Sequence, residues 1–450
     1  MKRSAAERND PGGKGLTGIS GQALSEAERS GAERSWGKVA PHVIWGEISS
    51  TSRCLLRALT LLRNAQLFAP EAIGRRDVLV AGGRIAAIEA QLPALPDALC
   101  EVVDLAGARL VPGFLDAHVH LTGGGGESGP SSRVPPVALS ALSRAGITTA
   151  VGVLGTDGTT RNVASLVAAA LGLREEGLTA LCWTGSYEVP AITLTGSVRS
   201  DITFVEPIVG VGEVAISDHR SSQPTFEELV RLAADCHVAG LMSGKAGVLH
   251  LHLGDGPRGL ELVRRALDTT ELPARTFYPT HVNRKTRLFE EALELARRGS
   301  TVDVTAFPVD DGEDAYSAED AIERYLASDA PKDRLTVSSD GGGCLPTYDR
   351  EGQLLAMDTG RPQAVADTLR TLLSRGRALE EVLPVFTRNV ARILRLPRKG
   401  TVAVGADADL VVLDDEHRIR DVMASGRFLV RGGVAVVHGQ FEHAGVKEPS

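Results

Sequence analysis

The sequence predicts an α/β chain: a (β/α)8 TIM barrel with a small β-sandwich domain built from its N- and C-terminal segments. Three observations point there. Between residues 112 and 394, eight short β-type runs alternate with helical patterns. Similar β-rich textures with Gly-Gly turns stand at both ends of the chain, and chain termini often lie close together. Residues able to do chemistry sit at the ends of many of the eight strands. No Gly-x-Gly-x-x-Gly opens a helix after the first of them, which argues against an open doubly wound sheet.

The elements follow in order. Residues 1–52 are rich in Gly, Ser, Ala, Glu and Arg with no sustained apolar period, and are read as a disordered extension or as a start assigned too far upstream. Residues 53–111 carry β-type runs at 55–62, 77–80, 84–89 and 102–105, with Gly82-Gly83 as a hairpin-type turn. Residues 395–443 repeat the texture at 410–414, 419–424, 427–430 and 434–437, and the two segments are expected to pair into one sandwich. The barrel, 112–394, takes its strands from runs at 109–114, 148–155, 179–186, 208–217, 248–254, 276–282, 301–307 and 335–339. Helical patterns at 225–239, 258–269, 286–298, 318–327 and 362–374 separate them.

Composition narrows the function classes. The 450 residues are 43% apolar, 24% charged and 4% aromatic, an ordinary enzyme-like profile. A net charge of −8 argues against a nucleic-acid or acidic-membrane partner. No apolar run reaches the roughly 18–20 residues of a membrane span, and the N-terminus lacks the apolar stretch of a secretory signal. The five cysteines are scattered, with no Cys-x-x-Cys, which fits a reduced, cytoplasmic protein.

The chemistry gathers at the strand ends, where a barrel enzyme assembles its site. After the first strand, Gly113-Phe114-Leu115-Asp116-Ala117-His118-Val119-His120 puts two histidines two residues apart, on one face of an extended strand. Four glycines and Glu127 follow, a run suited to close backbone approach to a ligand. The fifth strand carries His250 and His252, which face the barrel by parity; His252 is nearer the strand end and is preferred. The sixth ends in His281-Val282-Asn283-Arg284, and the eighth in Asp340-Gly341-Gly342-Gly343-Cys344. His118, His120, His252, His281 and Asp340 form a mixed nitrogen and oxygen ligand set that suits zinc, with manganese, iron, cobalt and nickel open. His219, His237, His42, His417, His438 and His443 are given no ligand role.

With these residues in hand, residues 55–440 resemble the amidohydrolase superfamily, and within it the isoaspartyl (β-aspartyl) dipeptidase family. The stretches that carry the resemblance are Gly-Gly-Gly-Gly-Glu (123–127), Leu-Gly-Thr-Asp (154–157), Thr-Gly-Ser-Tyr (184–187), Ala-Ile-Ser-Asp-His-Arg (215–220), Pro-Thr-His-Val-Asn-Arg (279–284) and Ser-Ser-Asp-Gly (338–341). The resemblance implies two divalent metal ions, Zn2+ foremost. One would be held by His118, His120 and Asp340, the other by His252 and His281, with a carboxylate bridging them. Most members of the family bridge with a carboxylated lysine; here the position reads Glu213. Its stem is shorter by several atoms, so the strand or the metals must shift for it to bridge. A second departure is Cys344, where the family has a serine that helps hold a substrate carboxylate, and a thiol is a weak donor.

The mechanism so implied is hydrolysis of a β-aspartyl dipeptide by a metal-bridged hydroxide. Tyr187 would help stabilise the tetrahedral oxyanion, and Asp340 would move the proton to the leaving amine. Glu127 would pair with the substrate ammonium, Arg220 and Arg284 with its carboxylates, and Gly125 and Thr156 would add polar contacts. A β-aspartyl linkage leaves a free α-amino and α-carboxyl group beside the scissile bond, and one acid with two arginines complements it. Relatives are homo-oligomers, and one is expected here. The competing readings are another amidohydrolase (dihydroorotase, hydantoinase or N-acyl-amino-acid deacylase) and a catalytically inactive scaffold of the same fold.

Overall fold

The computed structural model describes residues 59–310, 312–348 and 354–442. The extension expected over 1–52, the first residues of the run at 55–62, Cys54, His42 and His443 lie outside the described residues. The chain opens with β1 (Leu59–Phe68), β2 (Ala72–Ala81), β3 (Arg84–Glu89), β4 (Cys100–Asp104) and β5 (Arg109–Pro112). Strand and helix then alternate. In order they are β6 (Phe114–Val119), α1 (Leu139–Arg144), β7 (Ile147–Gly152), α2 (Val163–Glu176), β8 (Thr179–Thr184), α3 (Val198–Phe204), β9 (Ile208–Ile216) and α4 (Phe226–Ser243). The series continues through β10 (Leu249–Leu253), α5 (Glu261–Thr269), β11 (Phe277–Thr280), α6 (Thr286–Arg297), β12 (Val302–Thr305), α7 (Ala318–Ala327) and β13 (Leu335–Ser338). A hairpin of β14 (Cys344–Tyr348) and β15 (Leu354–Thr359) precedes α8 (Gln363–Ser374), α9 (Leu379–Phe386) and α10 (Arg388–Ile393). The strands β16 (Leu410–Leu413), β17 (Ile419–Ala424), β18 (Arg427–Arg431) and β19 (Val434–Ala435) close the described chain.

The two ends of the chain pair as the sequence texture predicts. They form one nine-stranded sheet in the order β19-β18-β17-β16-β5-β1-β2-β3, with β4 on β1. Leu62, Val80, Ile85, Leu110, Leu410 and Met423 from both ends fill its core.

The run at 109–114 does not form a single strand. Residues Arg109–Pro112 pair with β16, whereas Phe114–Val119 pairs with β7. Gly113 is the joint: its N–H donates to Asp409 O at 2.8 Å. A Cβ there would stand 2.2 Å from Thr148 Oγ1, so only glycine lets the chain pass from sheet to barrel at that point. Of the other barrel strands, β7 begins one residue before its expected range and the rest fall inside theirs; each is one to three residues shorter than expected, because residues at the strand ends leave the ladder, several of them to form the site.

Strands β6 to β11 make one parallel sheet in sequence order, and β12 pairs with β13. A parallel bridge between Val119 and Gly341, with His120 N donating to Gly341 O at 2.8 Å, joins the end of β13 to β6. On the far side, the Asn283 side chain after β11 donates to Thr305 O of β12 at 3.0 Å and accepts from Thr305 N at 2.8 Å. The lower barrel is a packed core of Leu115, Ala117, Val151, Leu181, Trp183 and Tyr278. The histidines therefore sit above a packed apolar floor, at the C-terminal ends of the strands. Among the described residues no helix is long and apolar enough to cross a membrane.

Candidate metal centre and substrate pocket

Strand parity and strand ends bring the predicted ligands together. His118 lies within β6 and His120 just beyond it; Glu213 lies on β9 and His252 on β10; His281 directly follows β11, and Asp340 lies two residues past the end of β13. All six are buried. His281 and Asp340 adopt left-handed backbone conformations, with φ of 60° and 53°. That turn ends the ladder and swings each side chain inward, a conformation uncommon for non-glycine residues but better tolerated by Asp and His than by most.

Glu213 stands at the centre. Its Oε1 faces His118 Nε2 at 3.3 Å and His120 Nε2 at 3.5 Å. Its Oε2 faces His252 Nδ1 at 3.1 Å and His281 Nε2 at 3.6 Å. Asp340 Oδ1 lies 3.0 Å from His120 Nε2 and 3.5 Å from His118 Nε2. Burial opposes ionisation of Glu213 and Asp340. The imidazoles outweigh it: His118 above all, with His252 and His281 for Glu213 and His120 for Asp340, hold both carboxyls well below the usual range. Gly155 passes close by with φ +74°, and a Cβ there would lie 2.5 Å from His120 Cε1.

These donors fit a cation. Two groups, His118-Glu213-His281 and His118-His120-Asp340, each have ligand atoms within 4.8 Å of one another. His118 Nε2, His120 Nδ1 and Asp340 Oδ1 are buried and make no hydrogen bond. Leaving such atoms unpartnered costs about 1–3 kcal/mol each, a cost that a cation between His118 Nε2 and Asp340 Oδ1 would relieve at those two atoms.

The partners behind the histidines were less visible in the sequence. His250, passed over in favour of His252, is fully buried, with its Nδ1 2.9 Å from Tyr278 O and its Nε2 2.8 Å from His118 Nδ1. A carbonyl oxygen only accepts, so His250 Nδ1 carries its proton. Burial and the neighbouring His118 hold the His250 pKa well down, so its ring is neutral and Nε2 is left as an acceptor. His118 must then donate from Nδ1, which keeps its Nε2 free to bind a cation in place of a proton. Trp183 stacks on His250 with centroids 5.1 Å apart and fixes the ring. Similarly, His281 Nδ1 meets Thr305 Oγ1 at 2.7 Å. Asp116 accepts from His118 N at 3.0 Å and Ser339 Oγ at 2.5 Å, and burial pushes its carboxyl up to about 7. For His250 the available signal was its parity with His252; for Asp116 it was an acid two residues before His118.

The predicted pocket residues border the centre. Tyr187 is buried with its hydroxyl 2.8 Å from His252 Nδ1, and burial pushes its pKa well up, so it remains a phenol. Glu127 Oε1 accepts from Thr156 Oγ1 at 2.9 Å and lies 3.5 Å from Arg220 Nη1, while its buried Oε2 has no hydrogen-bond partner. Arg220 forks onto Asp218 at 3.1 and 2.8 Å, and Asp218 also reaches His252 Nε2 at 2.9 Å. Arg284 donates to Leu253 O at 2.8 Å and pairs with Asp255 at 3.1 Å. Cys344 approaches Gly125, and burial, with Glu127 nearby, pushes its thiol up to about 12. Sequence reasoning gave no role to Asp218 or to Arg161. Arg161 is buried and donates to Gly124 O at 2.8 Å and Gly125 O at 3.2 Å, so it pins the glycine loop that carries Glu127.

A barrel whose strand ends gather four buried histidines around two carboxylates is the frame of a metal-assisted hydrolase. The model of the Amidohydrolase family matches residues 109–429; the chain belongs to that family, and within it to the isoaspartyl dipeptidase family. The β-aspartyl dipeptidase of the thermophilic, keratin-degrading Fervidobacterium islandicum AW-1, solved in complex with the β-Asp-Leu dipeptide, is 41% identical with a TM-score of 0.79. The match covers 86% of this chain and 100% of that one. More distant similarity reaches an adenine deaminase of Klebsiella pneumoniae, 26% identical over 74% of this chain and 49% of that protein. A dihydroorotase of Elusimicrobium minutum is 23% identical over 79% of this chain and 88% of its own length. The chain thus spans about half the length of the deaminases it matches.

Proposed function

We propose that this chain hydrolyses β-aspartyl dipeptides with two divalent metal ions, zinc foremost, held by His118, His120 and Asp340 and by His252 and His281, with Glu213 between them. The observation that carries the reading is the division of Glu213, one oxygen toward each histidine pair. Bound there, the two cations would supply a water activated to hydroxide near neutral pH and polarise a carbonyl. The chain's own residues do the rest. Asp340, held ionised, accepts the proton of the attacking water and returns it to the leaving amine. Tyr187, a neutral phenol, donates to the developing oxyanion.

The pocket suits the substrate's three charges. Glu127 offers the ammonium an unpartnered carboxylate oxygen in a buried place. The guanidinium of Arg220, held flat by Asp218, and that of Arg284 take the carboxylates. Gly125 and Thr156 line the same pocket beside Cys344. The similarity to the Fervidobacterium enzyme, whose structure holds β-Asp-Leu, supports this substrate class over a cyclic amide or a purine. The test is turnover of β-Asp-Leu by the zinc-loaded protein, beside dihydroorotate, adenine and N-acetyl amino acids. Hydrolysis of the dipeptide is expected; turnover of another substrate with none of the dipeptide would overturn the reading.

A further inference from the structure

We propose that the opposite, N-terminal end of the barrel carries an oxyanion-binding site that takes a phosphate group. A cavity of about 210 Å³ opens where β10, β11, β12 and β13 begin, walled by α4 and α10. At about 30 Å³ per water this is room for several waters or one tetrahedral anion. Arg275, Arg334, Arg392 and Arg395 line it, with His237.

The charges there do not cancel. Asp333 takes Arg392 and, at 4.0 Å, Arg334. Among the described residues Arg275 and Arg395 pair with no carboxylate; Arg395 reaches only the carbonyl of Gly240, at 3.4 Å. Like cations thus face one another in a chain whose net charge is −8. The effect is felt by His237: burial first, then Arg275 and Arg395, push its pKa down.

A second observation is independent of charge. Thr276, directly before β11, lines the same cavity, is 1% exposed, and its Oγ1 has no hydrogen-bond partner. A buried hydroxyl without a partner beside a wall of guanidinium groups is completed by a ligand that both accepts from a hydroxyl and carries negative charge. Helix C-termini also attract arginine, and the Arg395 contact with Gly240 in α4 is such a case. That effect accounts for neither Arg275 nor Thr276. The cavity is concave and small, which suits a compact phosphate rather than a polymer. From Thr276 to His281 is five residues along one strand, about 16 Å at 3.3 Å per residue, so the two ends are separate.

The test is isothermal titration of the metal-loaded protein with inorganic phosphate at fixed ionic strength, beside glycerol 3-phosphate. The parent protein should bind one or both below about 10 mM. If the ester binds more tightly, the site serves a phosphorylated metabolite; if the inorganic ion does, it serves free phosphate. The double variant Arg275→Ser/Arg395→Ser should weaken binding at least about tenfold, and Thr276→Val roughly threefold. Arg284→Ser, at the histidine end, should leave it unchanged. No binding in the parent, equal binding in the double variant, or loss in Arg284→Ser alone would each overturn the proposal.

Discussion

His250 offers the sharpest test of how the centre is built. Its Nε2 accepts from His118 Nδ1 at 2.8 Å because its own Nδ1 proton is committed to Tyr278 O at 2.9 Å. His250→Leu removes the acceptor and the donor together. His118 is then free to place its proton on Nε2, the atom that faces Glu213 and Asp340. Loss of such a partner behind a ligating histidine costs about 10–100-fold in metal affinity, or roughly 1.4–2.7 kcal/mol. The orphaned Tyr278 carbonyl adds a stability loss of about 1–3 kcal/mol. His250→Gln keeps one acceptor and one donor and should stay within about threefold of the parent. The assay is metal per chain after dialysis against a graded chelator, with melting temperature as the check on folding. A folded His250→Leu protein with parental metal content and affinity would refute the reasoning. So would a His250→Gln protein as weak as His250→Leu at the same melting temperature.

Three further outcomes follow from the same geometry. Glu127→Gln should raise KM for β-Asp-Leu about 10–100-fold while metal content stays constant, because the charge lost is the one proposed to meet the ammonium and lies apart from the proposed ligand set; a drop in metal content would contradict it. Arg161→Ala should act like a weaker Glu127 lesion, since it frees the loop by removing bonds to Gly124 and Gly125; unchanged KM would show that the loop holds itself. Metal affinity should rise with pH. Burial disfavours the charged form of His118, but Glu213 and Asp340 outweigh burial and hold its pKa well above the ordinary value, so an incoming cation must displace a proton. Calorimetry in two buffers of different ionisation heat should detect that release, and affinity that is flat with pH would count against it.

Much of this was legible because barrel geometry is periodic. Parity put His118 and His120, and likewise His250 and His252, on one face of their strands, and the eight-strand count put those ends on one rim. The limits were equally physical. The run at 109–114 reads as one strand because apolar alternation does not report which sheet a strand joins; the change of partner at Gly113 depends on Thr148, which is distant in sequence. Parity could not rank His250 against His252, because the distinction is depth: one stacks on Trp183 in the floor, the other meets Glu213 and Tyr187 at the rim. Asp218 and Arg161 act by holding Arg220 and the glycine loop, and a charged residue that positions another leaves no spacing signature.

Glu213 is the point where sequence and structure most need each other. A glutamate stem is several atoms shorter than a carboxylated lysine, so the backbone must bring it closer. The pairing of β9 with β10 is irregular at this point. Leu249 stands opposite Val211 and Leu251 opposite Val214, so two steps on β10 face three on β9. That extra residue is a bulge at Gly212-Glu213, and bulges re-aim side chains beside active sites. Gly212 permits it, since a Cβ there would stand 2.7 Å from His250 Cβ. If the bulge and the short acid compensate for one another, each substitution should fail in its own direction. Glu213→Asp withdraws the carboxylate by about 1.5 Å, one C–C bond, leaving it short of both histidine pairs. Glu213→Ala should lose the second metal and at least about 100-fold in rate. Glu213→Lys should not recover with bicarbonate, because a carbamate on a bulged strand overshoots the histidines. The parent, lacking a carbamate, should regain activity from the metal-stripped state without bicarbonate. Measuring metal content and rate for the four proteins with and without bicarbonate separates these cases. A Glu213→Lys protein restored by bicarbonate, or a parent that requires it, would mean that the bulge does not set the reach of the bridge.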